Sequence, residues 1–417
     1  MRLLDAALVP PAPVWNTPQT DLVTIRLDLK TMTPVFGGGH TAREVDPVQA
    51  VRPSAIRGQL RYWWRATAGA RFANTRDLYK EESRIFGNTD KAGVVRVRVP
   101  RIAAGKTKNY EERWPGNPNA TRGPEERVFV FPFQRNLQQP AADFLDGIDF
   151  QVEVTTPKDY ALDIKNALRA WVVFGGVGSR TRRGCGALMI TTPAQRQEFL
   201  PPSPSLAAGA HTRQWLERLV FAGACGPDWT KLDGAGVICD APDPYKPEVV
   251  NDIWRDLGKF WSRVRKNQIG QNEYKPVGKT LWPDHQRLSE VRGREASLVL
   301  GKAYFGLPII YQQGRGFKGQ LTPDKAVYGG ERAASPVILK PLMYADGTVS
   351  AMVAVLKTPI VKLKYLKAGD NMNIEVSPNL AGEVHPLLTV VNAADKDKAD
   401  SILFGNSLQV RGKRTND

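Results

Sequence analysis

The chain has 417 residues, with 58 Lys or Arg against 42 Asp or Glu, a net charge of +16 that both halves share and that points to a polyanionic partner such as nucleic acid. Three cysteines, Cys185, Cys225 and Cys239, an odd number without close spacing, and four scattered histidines argue against a disulfide framework or a zinc site and fit a reducing cytoplasm. No apolar run is long enough to span a bilayer, and Pro10, Pro11 and Pro13 interrupt what a signal peptide would need.

Residues 1–21 read as an irregular arm. In Val23–Lys30, Val23, Ile25, Leu27 and Leu29 alternate with polar residues, the pattern of a half-buried strand. A glycine loop follows, Gly37-Gly38-Gly39-His40. A helix then starts near Pro53, with Ile56, Leu60, Trp63 and Thr67 as its inner stripe. On another face Arg57, Arg61 and Arg65 stand at i, i+4 and i+8 with Trp64 beside them, and no acid occurs between Asp46 and Asp77. Stacked like charges repel, so a bound polyanion would relieve them, and this face, with an exposed Trp64 included, is a candidate for RNA or partner contact.

Val95, Val97 and Val99 alternate with Arg96 and Arg98 to give a strand with an outward basic edge, and residues 103–127 read as a flexible insertion. Strands are expected at Val128–Phe133 and Phe150–Thr155, then a helix over Asp159–Phe174 burying Ile164, Leu168 and Trp171. A last strand covers Ala187–Thr191. That order predicts an α+β unit of the βαββαβ, ferredoxin-like (RRM-like) kind, although the aromatic signature by which an RRM sheet stacks bases is missing.

Between the last helix and strand lies Gly175–Gly186, with five glycines and three arginines. Glycine lets backbone approach a ligand closely, and arginine forks bind phosphate oxygens in pairs. Gly175 and Gly176 read as a helix C-cap. The segment lacks the Lys-Ser/Thr of a P-loop and the third glycine of a dinucleotide fingerprint. Gly176, Gly178, Ser179, Arg180, Arg182 and Arg183 are therefore candidate phosphate contacts, with a solvated basic turn as the plain alternative.

Pro193, Pro201, Pro202 and Pro204 mark a linker, dividing the chain into an N-terminal domain (1–192), a linker (193–206) and a C-terminal domain (207–417). The latter carries a short helix over His211–Phe221 and a longer one from Pro247. In that second helix Val250, Ile253, Trp254, Leu257, Phe260, Trp261 and Val264 share one buried face. Residues 267–296 read as a long loop, Gly314–Gly319 as a second glycine-basic turn, and Pro336–Tyr344 with Val349–Leu356 as a hairpin about Asp346-Gly347. Arg315, Lys318 and Arg332 are secondary RNA-binding candidates.

The segment Arg52–Arg65 followed by Gly175–Gly186 resembles the first-named RAMP subunits of the Cmr (type III-B) CRISPR RNA-guided effector complex. Thr33–Gly38, Phe305–Ile309 and Arg332–Pro336 are similar to that family as well. The resemblance implies two ferredoxin-like modules with helical and loop insertions, and a non-catalytic subunit. Such a subunit contacts guide RNA towards its 3′ region, and target RNA, beside other Cmr subunits. It implies RNA contacts from Arg52, Arg57, Arg61, Arg65 and the glycine loop, and no cofactor, metal, small-molecule substrate or membrane. Cys185 departs from the pattern where an aromatic residue is expected.

The rival reading is a metal-independent RAMP endoribonuclease that processes guide RNA, which needs a general base at a 2′-hydroxyl. His40 is the only histidine next to a candidate RNA surface, and no group of carboxylates resembles a metal-nuclease site. A protein scaffold whose charge only aids solubility is the third reading.

Overall fold

The computed structural model describes residues 21–115, 126–203, 228–239, 242–266 and 332–358, with shorter pieces at 215, 218–219, 284, 287, 295–297, 301–306, 309–313, 317–323, 363–367, 373–375 and 408–410. The N-terminal arm, most of the helix expected at 211–221 and most of the loop at 267–296 lie outside them.

The N-terminal unit is built on an antiparallel sheet. Strand β1 (Leu22–Thr31) is joined by β3 (Arg96–Ala103), β6 (Asp149–Pro157) and β7 (Leu188–Ile190) in the order β3-β6-β1-β7, while the short β2 (Val35–Phe36) that follows β1 belongs to a second sheet. Alternation sets the register. Ile25, Leu27 and Leu29 stand opposite Val154, Val152 and Phe150 on the inner face. Two helices cover that face, α1 (Pro53–Ala66) through Ile56, Leu60 and Trp63, and α5 (Ala161–Phe174) through Ile164, Leu168 and Trp171. The outer face is polar, with Arg26 Nε donating to Glu153 at 2.8 Å and Gln151 to Asp28 at 2.9 Å. Among the described residues β3 is an edge strand, and its Arg96, Arg98 and Arg101 are exposed.

Several expectations are corrected. Val128–Phe133 is not a strand: α4 (Arg127–Val130) runs into a 3₁₀ turn at Phe131–Phe133. Pro132 cannot donate to a ladder, and Phe129 and Val130 are instead buried in a second apolar cluster. The insertion at 103–127 is structured in its described part. There β4 (Lys106–Asn109) pairs with β5 (Asp143–Asp146), which in turn pairs with β2, and α3 (Tyr110–Arg113) opens on an Asn109–Glu112 capping box that brings Tyr110 and Trp114 into the core. A further helix, α2 (Thr75–Phe86), capped by Asn74, was not anticipated; it buries Leu78, Glu82, Ile85 and Phe86. The expected linker begins with α6 (Pro193–Phe199), whose Phe199 is buried.

The C-terminal unit centres on the hairpin of β13 (Val337–Met343) and β14 (Thr348–Lys357), turning at Gly347 with φ +88°. Strand β8 (Lys231–Cys239) pairs with β14, β9 (Asp243–Pro244) meets the start of β14, and β17 (Leu408–Val410) lies parallel to β8. Helix α7 (Pro247–Lys266) packs on the hairpin through Val250, Trp254, Leu257, Trp261 and Val264. Strands β10 (Glu295–Ser297) and β16 (Asn373–Glu375) pair with each other, and β11 (Ile309–Gln313), β12 (Phe317–Pro323) and β15 (Leu363–Lys367) form a small sheet. Both apolar clusters draw on both units: Trp63 and Trp171 share one with Ile338 and Met352, and Phe36 and Trp114 share the other with Trp254 and Val353.

Candidate nucleic-acid interface

Three segments meet at the N-terminal end of α1. Gly37 and Gly178 both have left-handed backbone, φ +79° and +78°, and each leaves room for the other's loop. A Cβ on Gly178 would stand 2.6 Å from Phe36 O, and one on Gly37 would stand 2.7 Å from Ser179 Oγ. The gap is closed by Ser179 N donating to Phe36 O at 2.8 Å, and Arg52 Nη2 donates to Gly38 O at 2.8 Å, tying in the helix start. Arg52 also meets Asp46 at 3.3 Å.

The loop's own amides are largely spent inside the fold. Val177 N donates to Gly186 O, Gly186 N to Pro34 O, Arg183 N to Arg180 O and Gly184 N to Thr181 O. Gly176 is buried, and a Cβ there would stand 2.6 Å from Gly186 O. An open nest of free amides, the arrangement that glycine-rich loops offer phosphate, is therefore mostly closed by hydrogen bonds to protein carbonyls. Gly178 remains exposed and Ser179 half-exposed.

The loop arginines, candidate phosphate contacts by sequence, bond to the fold: Arg183 is buried and Arg180 and Arg182 are half-buried. Arg180, at φ +59°, donates its Nε to Phe129 O and lies over the Phe131 ring at 5.6 Å. Arg182 donates to Ser335 O and to the Tyr62 hydroxyl at 2.8 Å, with its guanidinium 5.4 Å from the Tyr62 ring centre. Arg183 is 8 % exposed and donates to Val337 O at 2.6 Å and Ser335 Oγ at 2.9 Å, 4.2 Å from the centre of the Trp261 ring. Burial, then the neighbouring Arg180, Arg265 and Arg182, holds its pKa well below the ordinary guanidinium range. Trp254 Nε1 completes the tie by donating to Arg183 O at 2.8 Å.

Lys340 pins the same junction from the other side. Its Nζ donates to Val172 O at 2.8 Å and Gly175 O at 2.9 Å, occupying carbonyls at the end of α5, and burial pushes its pKa down to about 7. Cys185 is buried as well, its thiol pushed up to about 12, which makes it an inert packing group.

On α1 the arginine stripe is present, but its acid comes from elsewhere. Arg61 Nε and Arg65 Nη1 both donate to Glu82 Oε1 at 2.7 Å, the carboxylate reaching in from α2, and Arg61 Nη1 donates to Gly87 O at 3.1 Å. One buried carboxylate serves two guanidiniums that are 29 % and 33 % exposed, so a positive charge is left over. Arg57 is exposed one turn before Arg61. Trp64 is fully buried against Phe72 and Phe86, not exposed beside the stripe: four residues after Leu60, it turns towards α2.

Of the remaining candidates, Arg332 is exposed, Lys318 lies on β12, and Arg315 lies outside the described residues. His40 is exposed in its loop, and among the described residues no group of His, Cys, Asp and Glu could hold a metal ion. No described helix is long and apolar enough to cross a membrane. Two structural anchors escaped the sequence reading. Glu82 is one. The other is Arg43, at φ 71°, whose guanidinium donates to Gln139 Oε1 and to the carbonyls of Pro132, Phe133, Gln134 and Pro140 at 2.7–3.3 Å.

Residues 28–188 match the model of the RAMP superfamily. The CRISPR system Cmr subunit Cmr1-2 of Pyrococcus furiosus is 29% identical over 177 residues, 39% of this chain and 92% of its own length. Cmr1-1 of the same organism is 29% identical over 146 residues, 34% of this chain and 40% of its own length. Among solved structures, apo Cmr1 from Pyrococcus furiosus superposes with a TM-score of 0.49 at 14% identity, covering 87% of this chain and 92% of that one. A chain of the type III-B Cmr-beta complex bound to cognate target RNA gives 0.48 at 12%, covering 82% and 96%. Residues 28–188 are thus similar to the RAMP superfamily, and the chain resembles Cmr1 subunits of CRISPR systems.

Proposed function

We propose that the chain is a non-catalytic RNA-binding subunit of a type III-B (Cmr) CRISPR ribonucleoprotein in antiviral defence, built on two ferredoxin-like modules and working in the cytoplasm. It holds the sugar-phosphate backbone of guide RNA towards its 3′ region, or of the guide–target duplex, beside other Cmr subunits and without a cofactor. The observation that carries this reading is the solvent-facing side of α1, where Arg57, Arg61 and Arg65 outnumber Glu82 and stand near Arg52 and Arg182. Gly178 and Ser179 complete the contact set. Guanidiniums without base-reading partners contact phosphate and fix the strand's position, which yields affinity without sequence preference.

Arg183, Trp64 and Gly176 support this surface from inside and leave the contact set. Arg180, half-buried on Phe129 O, sits at its rim.

Binding of the full chain to unrelated single-stranded RNAs tests the reading. With about five phosphates neutralised, log K falls against log salt with a slope near −3.5, and Arg57→Glu weakens every sequence alike. A flat salt response would leave a protein scaffold as the answer. RNA cleavage by the chain, abolished by His40→Ala, would restore the nuclease.

A further inference from the structure

Gly58 stands in the middle of α1, exposed, where a helix gains nothing from it. Glycine is the poorest helix former after proline, because it has the most backbone freedom to lose. Elsewhere the fold gives its own reasons for glycine. A Cβ at Gly69, Gly175 or Gly176 would lie within 2.8 Å of existing atoms, while Gly147 and Gly347, which have room, have φ of +81° and +88°. At Gly58 neither reason holds. A Cβ there would find nothing within 4 Å, and its backbone is helical.

The surroundings say what the bare backbone is for. Helical spacing puts Ser54 one turn before Gly58 and Arg61 and Tyr62 one turn after it, with Arg57 adjacent and Arg65 two turns on. Tyr62 carries Arg182 across its ring, so cationic groups from α1 and from the glycine loop stand on either side of a strip with no side chain. Glu82, the one acid bonded to Arg61 and Arg65, is buried beneath and does not face the strip.

Resting on the RNA-binding reading above, we propose that Gly58 is the seat of the strand. The RNA's ribose-phosphate chain crosses α1 in van der Waals contact with bare helix backbone, Arg57 and Arg61 taking phosphates on one side and Arg182 on the other. An apolar helix from a neighbouring subunit could also use a glycine for close approach, but the flanking guanidiniums favour a polyanion over an apolar or basic face.

Gly58→Ala and Gly58→Leu in the full chain test this, with thermal midpoint and affinity for a mixed-sequence single-stranded RNA as readouts. Both substitutions add a better helix former into open space, so the midpoint rises by about 2 °C. RNA affinity falls about fivefold for alanine and at least about twentyfold for leucine. The salt slope stays unchanged, because every arginine is still present. A raised midpoint with unaltered RNA affinity would overturn the proposal, as would a lowered midpoint, which would assign Gly58 a folding role. Unaltered RNA affinity with lost co-assembly of Cmr subunits would hand the strip to a protein neighbour. Arg57→Ala in the same assay separates the two levels. If it weakens RNA binding while the Gly58 variants do not, only the seat is wrong; if it too has no effect, the RNA-binding reading falls with it.

Discussion

Helix α1 and the glycine loop concentrate the same residue type and use it for opposite ends. On α1, two arginines share one buried carboxylate and a third stands exposed, so positive charge is left facing solvent. In the loop, Arg180 and Arg183 donate to backbone carbonyls and lie over aromatic rings, so their charge is absorbed by the junction between the two units, while Arg182, held by Ser335 O and Tyr62, stays half-exposed. Arginine's fork suits both tasks, phosphate capture and carbonyl bridging; the difference lies in what the neighbouring chain offers. Charge in a sequence locates guanidiniums, whereas their partners decide whether they are available.

The widest separation between the two groups comes from Arg183→Met. Val337 O and Ser335 Oγ lose a charged donor and Trp261 its cation, so stability falls by about 3 kcal/mol in chemical denaturation, while the folded fraction keeps its RNA affinity. A fall in RNA affinity at unchanged stability would erase the distinction.

Glu82→Gln moves both quantities in opposite directions. Losing the carboxylate that holds Arg61 and Arg65 costs about 2 kcal/mol, yet the freed charge tightens RNA binding and steepens the salt slope by about 0.7. Weaker RNA binding in that variant would mean that Glu82 orients the arginines for RNA instead of restraining them.

At pH 7 the smallest change is expected from Lys340→Met, and its signature lies in the pH profile. The unfolded lysine titrates near 10.4, the folded one at about 7, so between these values the unfolded chain holds more protons and stability rises with pH. That contribution is full above the unfolded value and is lost as pH falls through about 7. The neutral amine has two N–H groups for its two carbonyl acceptors, Val172 O and Gly175 O, so deprotonation leaves both bonds in place. Stability of Lys340→Met, measured from pH 7 to 10, should be flatter than that of the parent; equal slopes would contradict a depressed lysine.

Much of the frame was legible. The alternation in β1 and the three-to-four spacing of Ile56, Leu60 and Trp63 are local patterns, and burial follows them residue by residue. The site was legible only as an inventory of arginines. Glu82 comes from a helix 21 residues beyond Arg61, and the acceptors of Arg183 lie about 150 residues away on β13 and just before it, distances at which no periodicity speaks. Trp64 was misread because a tryptophan next to a charged stripe looks amphipathic until a second helix covers it. The Val128–Phe133 stretch failed for a similar reason: its apolar residues fit a strand, but Pro132 and the aromatic cluster around Trp254 decide for a helical turn.

Edge strand β3 carries Arg96, Arg98 and Arg101 on its exposed side. A sheet margin lined with guanidiniums resists extension by another chain's strand, since two such margins would bring like charges together. A chain that met this side would therefore engage it by side chains and leave its backbone ladder unextended.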